Sequence, residues 1–292
     1  MNGVAHRDSP RLGKRQDIAE LSGSVGLGAW TAFGVLGLVV YGDGSPLFLD
    51  RAFLNWSVAH RPELSLAVAR GLTATGTGVV PYALVLLAGL LVGRGVRIRK
   101  RLLAAVLGAG CLAAGQGVRY GVMSLIARPR PPRADWAGHP SGWAFPSGHT
   151  TTAALAAGLV ILAICLRAPR GRNPLCAVVG CWGALVGLTR IYLGVHWFTD
   201  VIGGWLFATG WLGLCLCAAA WWLPPRLVTA DGDGTDGTAR GEGADGGDSG
   251  DTARADRAAD HPDRTNGTDG SDGTDRTEPP PSPRRGPKQH PH

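Results

Sequence analysis

The apolar residues of the first 225 positions fall into long runs separated by short charged segments. A membrane-spanning helix needs roughly 20 mostly apolar residues, and six runs of about that length carry few charges. The pattern predicts an all-α fold, a polytopic membrane helical bundle with six transmembrane helices. The predicted spans are Gly23–Tyr41, Leu72–Val92, Leu102–Val118 (with an extension to Ile126 left open), Thr150–Leu166, Leu175–Thr189 and Val201–Leu223.

The end of the chain has a different composition. From Thr229 to His292 there is no Val, Ile, Leu, Met, Phe, Trp, Tyr or Cys. Such a segment cannot bury enough apolar surface to offset the entropy of ordering it, which predicts disorder. We therefore expect a cytoplasmic N-terminal segment over 1–20, a six-helix membrane domain over 21–225 and a disordered, low-complexity cytoplasmic tail over 226–292.

Charge sets the predicted orientation in the cell membrane. Residues 1–225 hold 20 basic and 8 acidic side chains, a net charge of +12, whereas the tail carries a net charge of −5. The basic residues cluster in the N-terminal segment and after the second and fourth spans, so these segments and both termini are predicted to be cytoplasmic. Because the arginines lie in short gaps between apolar runs, nucleic-acid binding is not expected. Five arginines nevertheless fall on the opposite side and require another explanation: Arg119, Arg128, Arg130, Arg133 and Arg190.

Topology brings several polar residues to that opposite, outer face. The chain crosses the membrane twice between His149 and His196, so both histidines return to the same side. Aromatic residues at the predicted outer span ends, Trp136, Trp143, Phe145 and Trp197, are typical of an interfacial belt. The six cysteines show no metal-ligand spacing.

The converging residues suit an anionic phosphate group. Arginine presents a planar fork of donors that matches phosphate oxygens, and Ser147 lies where the fourth span begins, beside its free N–H groups. His196 and Asp200 are four residues apart, so a helix beginning near His196 would place them on one face. A carboxylate on one imidazole nitrogen leaves the other free as a nucleophile, and His149 is suited to act as a general acid.

Three other interpretations compete with this one. In the first interpretation, the histidines lie at the membrane interface and the arginines bind lipid headgroups. A zinc site formed by His149, His196 and Asp200 is the second, which the neighbouring arginines disfavour. A serine hydrolase with Ser147 as nucleophile is the third, but Pro-Ser-Gly-His differs from the Gly-x-Ser-x-Gly elbow.

The motifs together resemble those of the type-2 phosphatidic acid phosphatase superfamily. That family carries Lys-x6-Arg-Pro, Pro-Ser-Gly-His and Ser-Arg-x5-His-x3-Asp in this order. The resemblance extends over roughly residues 20–223, because the six predicted spans also match. The matching residues are Arg130-Pro131, the complete Pro146–His149, and Arg190, His196 and Asp200 with Thr189 at the family's serine position.

The resemblance implies a metal-independent phosphatase that needs no cofactor. By that similarity His196 attacks phosphorus and becomes a phosphohistidine, Asp200 orients His196, and His149 protonates the departing oxygen and then activates water. The phosphate would be held by Arg130, Arg190, Ser147 and the Gly148 N–H.

One position departs from the family pattern. Met123 stands where the family has lysine, seven residues before Arg130, and a thioether does not bind a phosphate oxygen. Arg119 could replace the lysine from the previous helical turn, or Arg128 could do so from the loop. A weakened or altered site is the third alternative.

The expected function is hydrolysis of a lipid phosphate monoester or diphosphate at the outer membrane face. Phosphatidic acid, phosphatidylglycerol phosphate and undecaprenyl diphosphate are the candidate substrates, and membrane lipids surround the site. A non-hydrolytic protein that binds or transports lipid phosphates is one alternative. A phosphotransferase, which passes the phosphoryl group to an acceptor other than water, is another. A soluble vanadate-dependent peroxidase shares similar motifs, but the six spans argue against it.

Overall fold

The computed structural model describes residues 10–42, 45–92, 97–167 and 172–222, and the predicted tail over 226–292 lies outside them. Within these ranges the chain is helical and contains no strand. A short 3₁₀ turn over Arg133–Asp135 lies between α5 and α6. The helices are α1 (Pro10–Gly42), α2 (Phe48–Ala59), α3 (Glu63–Ala74), α4 (Val79–Val92), α5 (Ile98–Ile126), α6 (Gly148–Arg167), α7 (Arg172–Tyr192) and α8 (Phe198–Trp222).

Five of the described helices, α1, α5, α6, α7 and α8, are long and apolar enough to cross a membrane. A sixth crossing is obtained if α3 and α4 are counted as one span, although their axes differ by 53°. Many large apolar side chains on these helices are exposed, as expected where lipid surrounds a bundle. The predicted all-α multi-pass membrane fold is confirmed.

The second predicted span, Leu72–Val92, is not one continuous helix. Ala74 ends α3, and the chain passes through Gly76 and Gly78 before α4 begins at Val79. Gly78 has φ of +66°, which is unfavourable for residues with a side chain. A Cβ on Gly76 would meet the Val186 side chain of α7. The two glycines therefore permit the bend and the close approach of α7.

The bundle is held by apolar contacts among α4, α5, α6 and α8. Val85, Leu112, Leu155 and Ala208 form a buried cluster at their meeting point. α1 packs along α8, and a Cβ on Gly213 would lie 2.6 Å from the Cα of Gly26. This close packing fixes α8, whose first turn carries Asp200.

α2 lies in the segment predicted as an outer loop over 42–71, and its amphipathic pattern is inverted. Its buried residues are Asp50, Leu54 and Ser57, whereas Phe48 and Trp56 are 83% and 56% exposed. The polar stripe of α2 therefore faces the protein and its aromatic stripe faces outward.

The predicted aromatic belt is wrong for two of its four members. Phe145 is fully buried and stacks on Phe33 with ring centroids 5.5 Å apart. Trp197 is buried, and its indole N–H donates to the Pro129 carbonyl at 2.9 Å. Both side chains pack the loop between α5 and α6 against the bundle. Trp143 remains 46% exposed.

Candidate active site

A cavity of about 200 Å³ opens where α5, the first turn of α6 and the last turn of α7 meet. Residues 139–143 of the loop between α5 and α6 form part of its wall. No carboxylate is found among the residues that line it. A cavity lined by several positive charges and no acid favours an anion. The arginines and histidines that line it are Arg119, Arg130, Arg190, His139, His149 and His196.

His196 lies in the turn between α7 and α8, two residues before α8 begins. Gly194, with φ of +66°, makes this turn tight. The Nδ1 atom of His196 is 3.3 Å from Asp200 Oδ2, and Nε2 is 2.8 Å from Arg130 Nη1. Arginine only donates, so Nε2 must accept and the ring proton lies on Nδ1. The lone pair of Nε2 therefore points at Arg130, which lines the cavity. Because α8 begins only at Phe198, His196 and Asp200 do not share one helix face.

The electrostatic surroundings keep His196 neutral. Burial lowers its pKa well below the ordinary value of 6.5, and the nearby Arg130 and Arg190 lower it further. Burial also lowers the pKa of Arg130, to about 10, although Asp200 acts in the opposite direction. Arg130 is thus charged and His196 is neutral at neutral pH.

Arg130 is held by backbone carbonyls of the cavity wall. Its guanidinium donates to Gly142 O at 2.8 Å, to Ser141 O at 2.7 Å and to Val195 O at 2.7 Å. Prolines on both sides stiffen the segment that carries it. Neutral acceptors fix the position of the guanidinium without cancelling its charge.

Arg119 reaches the cavity from α5, one helical turn before Met123. Its Nε donates to Gln116 Oε1 at 2.9 Å, and Gln116 Nε2 donates to Thr152 Oγ1 of α6 at 2.6 Å. A Cβ on Gly148 would lie 3.2 Å from Arg119 Nη1, so glycine leaves room for the guanidinium. Met123 also lines the cavity, with its sulfur 3.5 Å from Arg119 Nη1.

Arg190 and His149 complete the charged lining. Arg190 lies in the last turn of α7 and donates from Nη1 to Thr73 Oγ1 of α3 at 2.9 Å, while its buried Nε has no hydrogen-bond partner. His149 lies in the first turn of α6. These two residues and His196 surround the same space.

Arg128 does not line the cavity, which corrects its prediction as a phosphate ligand. It is buried, and its guanidinium donates to Asp50 Oδ2 at 2.7 Å and to Asp200 Oδ1 at 2.6 Å. Both terminal nitrogens are therefore bonded to carboxylates.

Ser147 is also buried away from the cavity lining. Its hydroxyl accepts a hydrogen bond from Thr150 Oγ1 at 2.9 Å, and its N–H donates to the Asp200 carbonyl at 3.1 Å. The direct role of the Ser147 hydroxyl in holding phosphate does not follow from this position. The residue instead ties the start of α6 to the first turn of α8.

Sequence reasoning missed four polar residues near the site: Asp50, Thr73, Gln116 and Thr199. The only signal for Asp50 was its helical spacing from Leu54 and Ser57. The larger apolar residues of the same segment, such as Phe48 and Trp56, instead indicated that the other side of the helix was the buried one. Gln116 lies three residues before Arg119, the distance of one helical turn. Nothing in the sequence near Thr73 or Thr199 distinguishes them from other span-end threonines.

Part of the chain is similar to known proteins. Residues 100–224 match the profile of the PAP2 superfamily. The chain is 36% identical over 69 residues to phosphatidylglycerophosphatase B of Bacillus subtilis (strain 168), covering 23% of this chain and 34% of that protein. It is 38% identical over 87 residues to phosphatidylglycerophosphatase B of Escherichia coli (strain K12), covering 30% and 31%. The match to lipid A 1-phosphatase of Rhizobium etli is 38% over 79 residues, covering 27% and 30%. These matches span about one third of the length of each curated relative.

One solved structure shares most of the fold. The crystal structure of a transmembrane PAP2-type phosphatidylglycerolphosphate phosphatase from Bacillus subtilis aligns with a TM-score of 0.57 and 25% identity. The alignment covers 67% of this chain and 94% of that one. The matched profile includes α5 to α8, which carry most of the cavity. The resemblance to the PAP2 superfamily that the motifs indicated is therefore confirmed over residues 100–224.

Proposed function

We propose that this protein is a membrane-bound lipid phosphate phosphatase that works through a phosphohistidine at His196. One observation carries the proposal: a neutral imidazole lines a cavity together with three arginines, and its Nε2 accepts a hydrogen bond from one of them, Arg130. The similarity to phosphatidylglycerophosphatase B and to lipid A 1-phosphatase, two phosphatases that are named for lipids, supports it.

In the first step Arg130 Nη1 exchanges its hydrogen bond to His196 Nε2 for one to a phosphate oxygen of the bound headgroup, and the freed Nε2 lone pair attacks phosphorus. The Nε2–P bond forms as the bond from phosphorus to the leaving oxygen breaks, and His149 supplies the proton to that oxygen. Asp200 stabilises the positive charge that develops on the ring, because its Oδ2 faces Nδ1. The cavity arginines stabilise charge on the equatorial oxygens.

In the second step water hydrolyses the phosphohistidine. His149 accepts a proton from the water, whose oxygen bonds to phosphorus as the Nε2–P bond breaks. Inorganic phosphate leaves and His196 returns to its neutral form. No metal is required for either step, and Asp200 is not free to bind one, since N–H donors from Arg128, Trp197 and His196 face its two oxygens.

Arg119 is the residue that replaces the family lysine in this proposal. It is anchored by Gln116, and its Nη1 lies 3.5 Å from the sulfur of Met123, the residue that stands where the family has lysine. This removes the main reason for a non-hydrolytic binding or transport protein, which rested on Met123.

The substrate is a lipid whose phosphate lies at headgroup level. We propose phosphatidylglycerol phosphate as the first candidate, which the similarity to two phosphatidylglycerophosphatases B supports, with phosphatidic acid and undecaprenyl diphosphate as further candidates. We propose that the cavity opens on the extracytoplasmic side and that both termini are cytoplasmic, as the basic residues between the spans indicate.

Replacing the proposed nucleophile tests the reaction. In EDTA and detergent, the wild type should release phosphate from at least one of the three candidate lipids, and His196→Ala should reduce release to background because no phosphohistidine forms. His60→Ala is the matched control, since His60 stacks on Trp56 outside the cavity. Release that survives His196→Ala, or requires added metal, would contradict the proposal.

Moving the positive charge from position 119 to position 123 tests whether Arg119 replaces the family lysine. Arg119→Gln should lower kcat/KM by about 10- to 100-fold, because hydrogen bonds to charged groups contribute about 1.5–3 kcal/mol. Adding Met123→Lys to this variant should restore much of the loss. Kinetics in mixed micelles measure both, with Arg51→Gln on the exposed side of α2 as control. If Arg119→Gln is as active as the wild type, Arg119 does not replace the family lysine.

The low pKa of His196 has a direct spectroscopic consequence. Because the native pKa lies well below 6.5, lowering the pH from about 8 to about 6 should leave the ring neutral, whereas an ordinary histidine would become largely protonated. Nitrogen NMR of histidine-labelled protein, assigned with His196→Gln, measures this. A titration midpoint at or above the ordinary value would contradict the electrostatic description.

A further inference from the structure

A line of buried charges lies behind the proposed nucleophile, outside the cavity. Asp50 of α2 contacts Arg128, Arg128 contacts Asp200, and Asp200 contacts His196. Asp50, Arg128 and Asp200 are each at most 2% exposed. Buried charges are costly unless paired, so a line of three needs an explanation beyond packing.

Asp50 is bonded through both carboxylate oxygens. Its Oδ2 accepts from Arg128 Nη2 at 2.7 Å, and its Oδ1 accepts from the Thr199 N–H at 2.8 Å. The Thr199 hydroxyl also contacts Asp50, and it accepts from Arg128 Nη1 at 2.7 Å. Thr199 directly precedes Asp200 in the first turn of α8. Asp50 therefore contacts both Arg128, which pairs with Asp200, and the backbone N–H of the residue before Asp200.

The order of charges determines what Asp200 does to His196. Arg128 divides its two terminal nitrogens between Asp50 and Asp200, so Asp50 balances the positive charge of Arg128. The line then keeps a net charge of minus one beside His196. Without the charge of Asp50, Arg128 would cancel Asp200, and the positive charge that forms on the His196 ring would lose its compensation.

We propose that Asp50 is a positioning residue that acts on His196 through Arg128 and Asp200. This inference rests on the proposed function, because it assigns Asp50 a part in forming the phosphohistidine. The exposed aromatic stripe of α2 is not needed for it; the buried stripe carries the interaction.

The test compares a variant that loses the negative charge of Asp50 with a double variant that also loses the positive charge of Arg128. Asp50→Asn should lower kcat about tenfold while KM changes little, because Asp50 does not line the cavity. The double variant Asp50→Asn/Arg128→Gln restores the net charge of minus one and should be more active than Asp50→Asn. A double variant that is no more active than the single one would overturn the proposal. Glu63→Gln on the exposed first turn of α3 is the matched control.

A resting-state measurement separates this inference from the proposed function. The nitrogen NMR signal of His196 Nδ1 should shift in Asp50→Asn and return toward the wild-type position in the double variant, whether or not the protein hydrolyses a lipid. An Nδ1 signal that does not move refutes the link. Absence of phosphate release by the wild type refutes only the proposed function.

If Asp50→Asn does not fold, a variant that keeps the negative charge at position 50 provides the test instead. Asp50→Glu keeps the carboxylate but displaces it by one methylene, so kcat should fall with little change in KM and the Nδ1 signal should move. Unchanged kcat together with an unchanged signal would overturn the proposal.

Discussion

Three arginine guanidinium groups share one small cavity without a carboxylate in its lining, and their mutual repulsion governs the rest of the site. Bringing like charges together in a partly buried space costs energy that neutral acceptors only partly offset. Carbonyls hold Arg130, Gln116 holds Arg119 and Thr73 holds Arg190. Under the proposed function an entering phosphate group relieves the repulsion, because the cavity is arranged for an anion before one binds.

Arg128 shows the opposite solution to the same problem. It is as deeply buried as any of the cavity arginines, but two carboxylates neutralise it. The guanidinium group is chemically the same in Arg128 and in the cavity arginines. Only the neighbouring residues differ: carboxylates surround Arg128, and neutral acceptors surround the cavity arginines. Carboxylates thus lie on the Nδ1 side of His196, which Asp200 contacts, and are absent from the cavity lining on the Nε2 side, where we propose that the substrate binds.

Much of the fold and part of the site followed from the sequence for clear physical reasons. Long apolar runs need helices in a membrane, and two crossings return His149 and His196 to one face. The bend between α3 and α4 was missed because the apolar run continues through Gly78, whose positive φ does not affect hydropathy. Arg128 was misassigned because its partner Asp50 is 78 residues away in the chain. Local spacing identifies candidate side chains, but long-range pairing decides which of them are neutralised.

The covalent intermediate tests the central claim most directly. Protein mixed with substrate and quenched in alkali, where phosphohistidine survives, should carry a phosphate adduct on His196 that mass spectrometry locates within its peptide. The adduct should form at the rate of the first turnover, and it should persist longer when His149 is replaced by glutamine and a substrate with a good leaving group is used. Phosphate release without an adduct on His196, or with the adduct on another residue, would contradict the account.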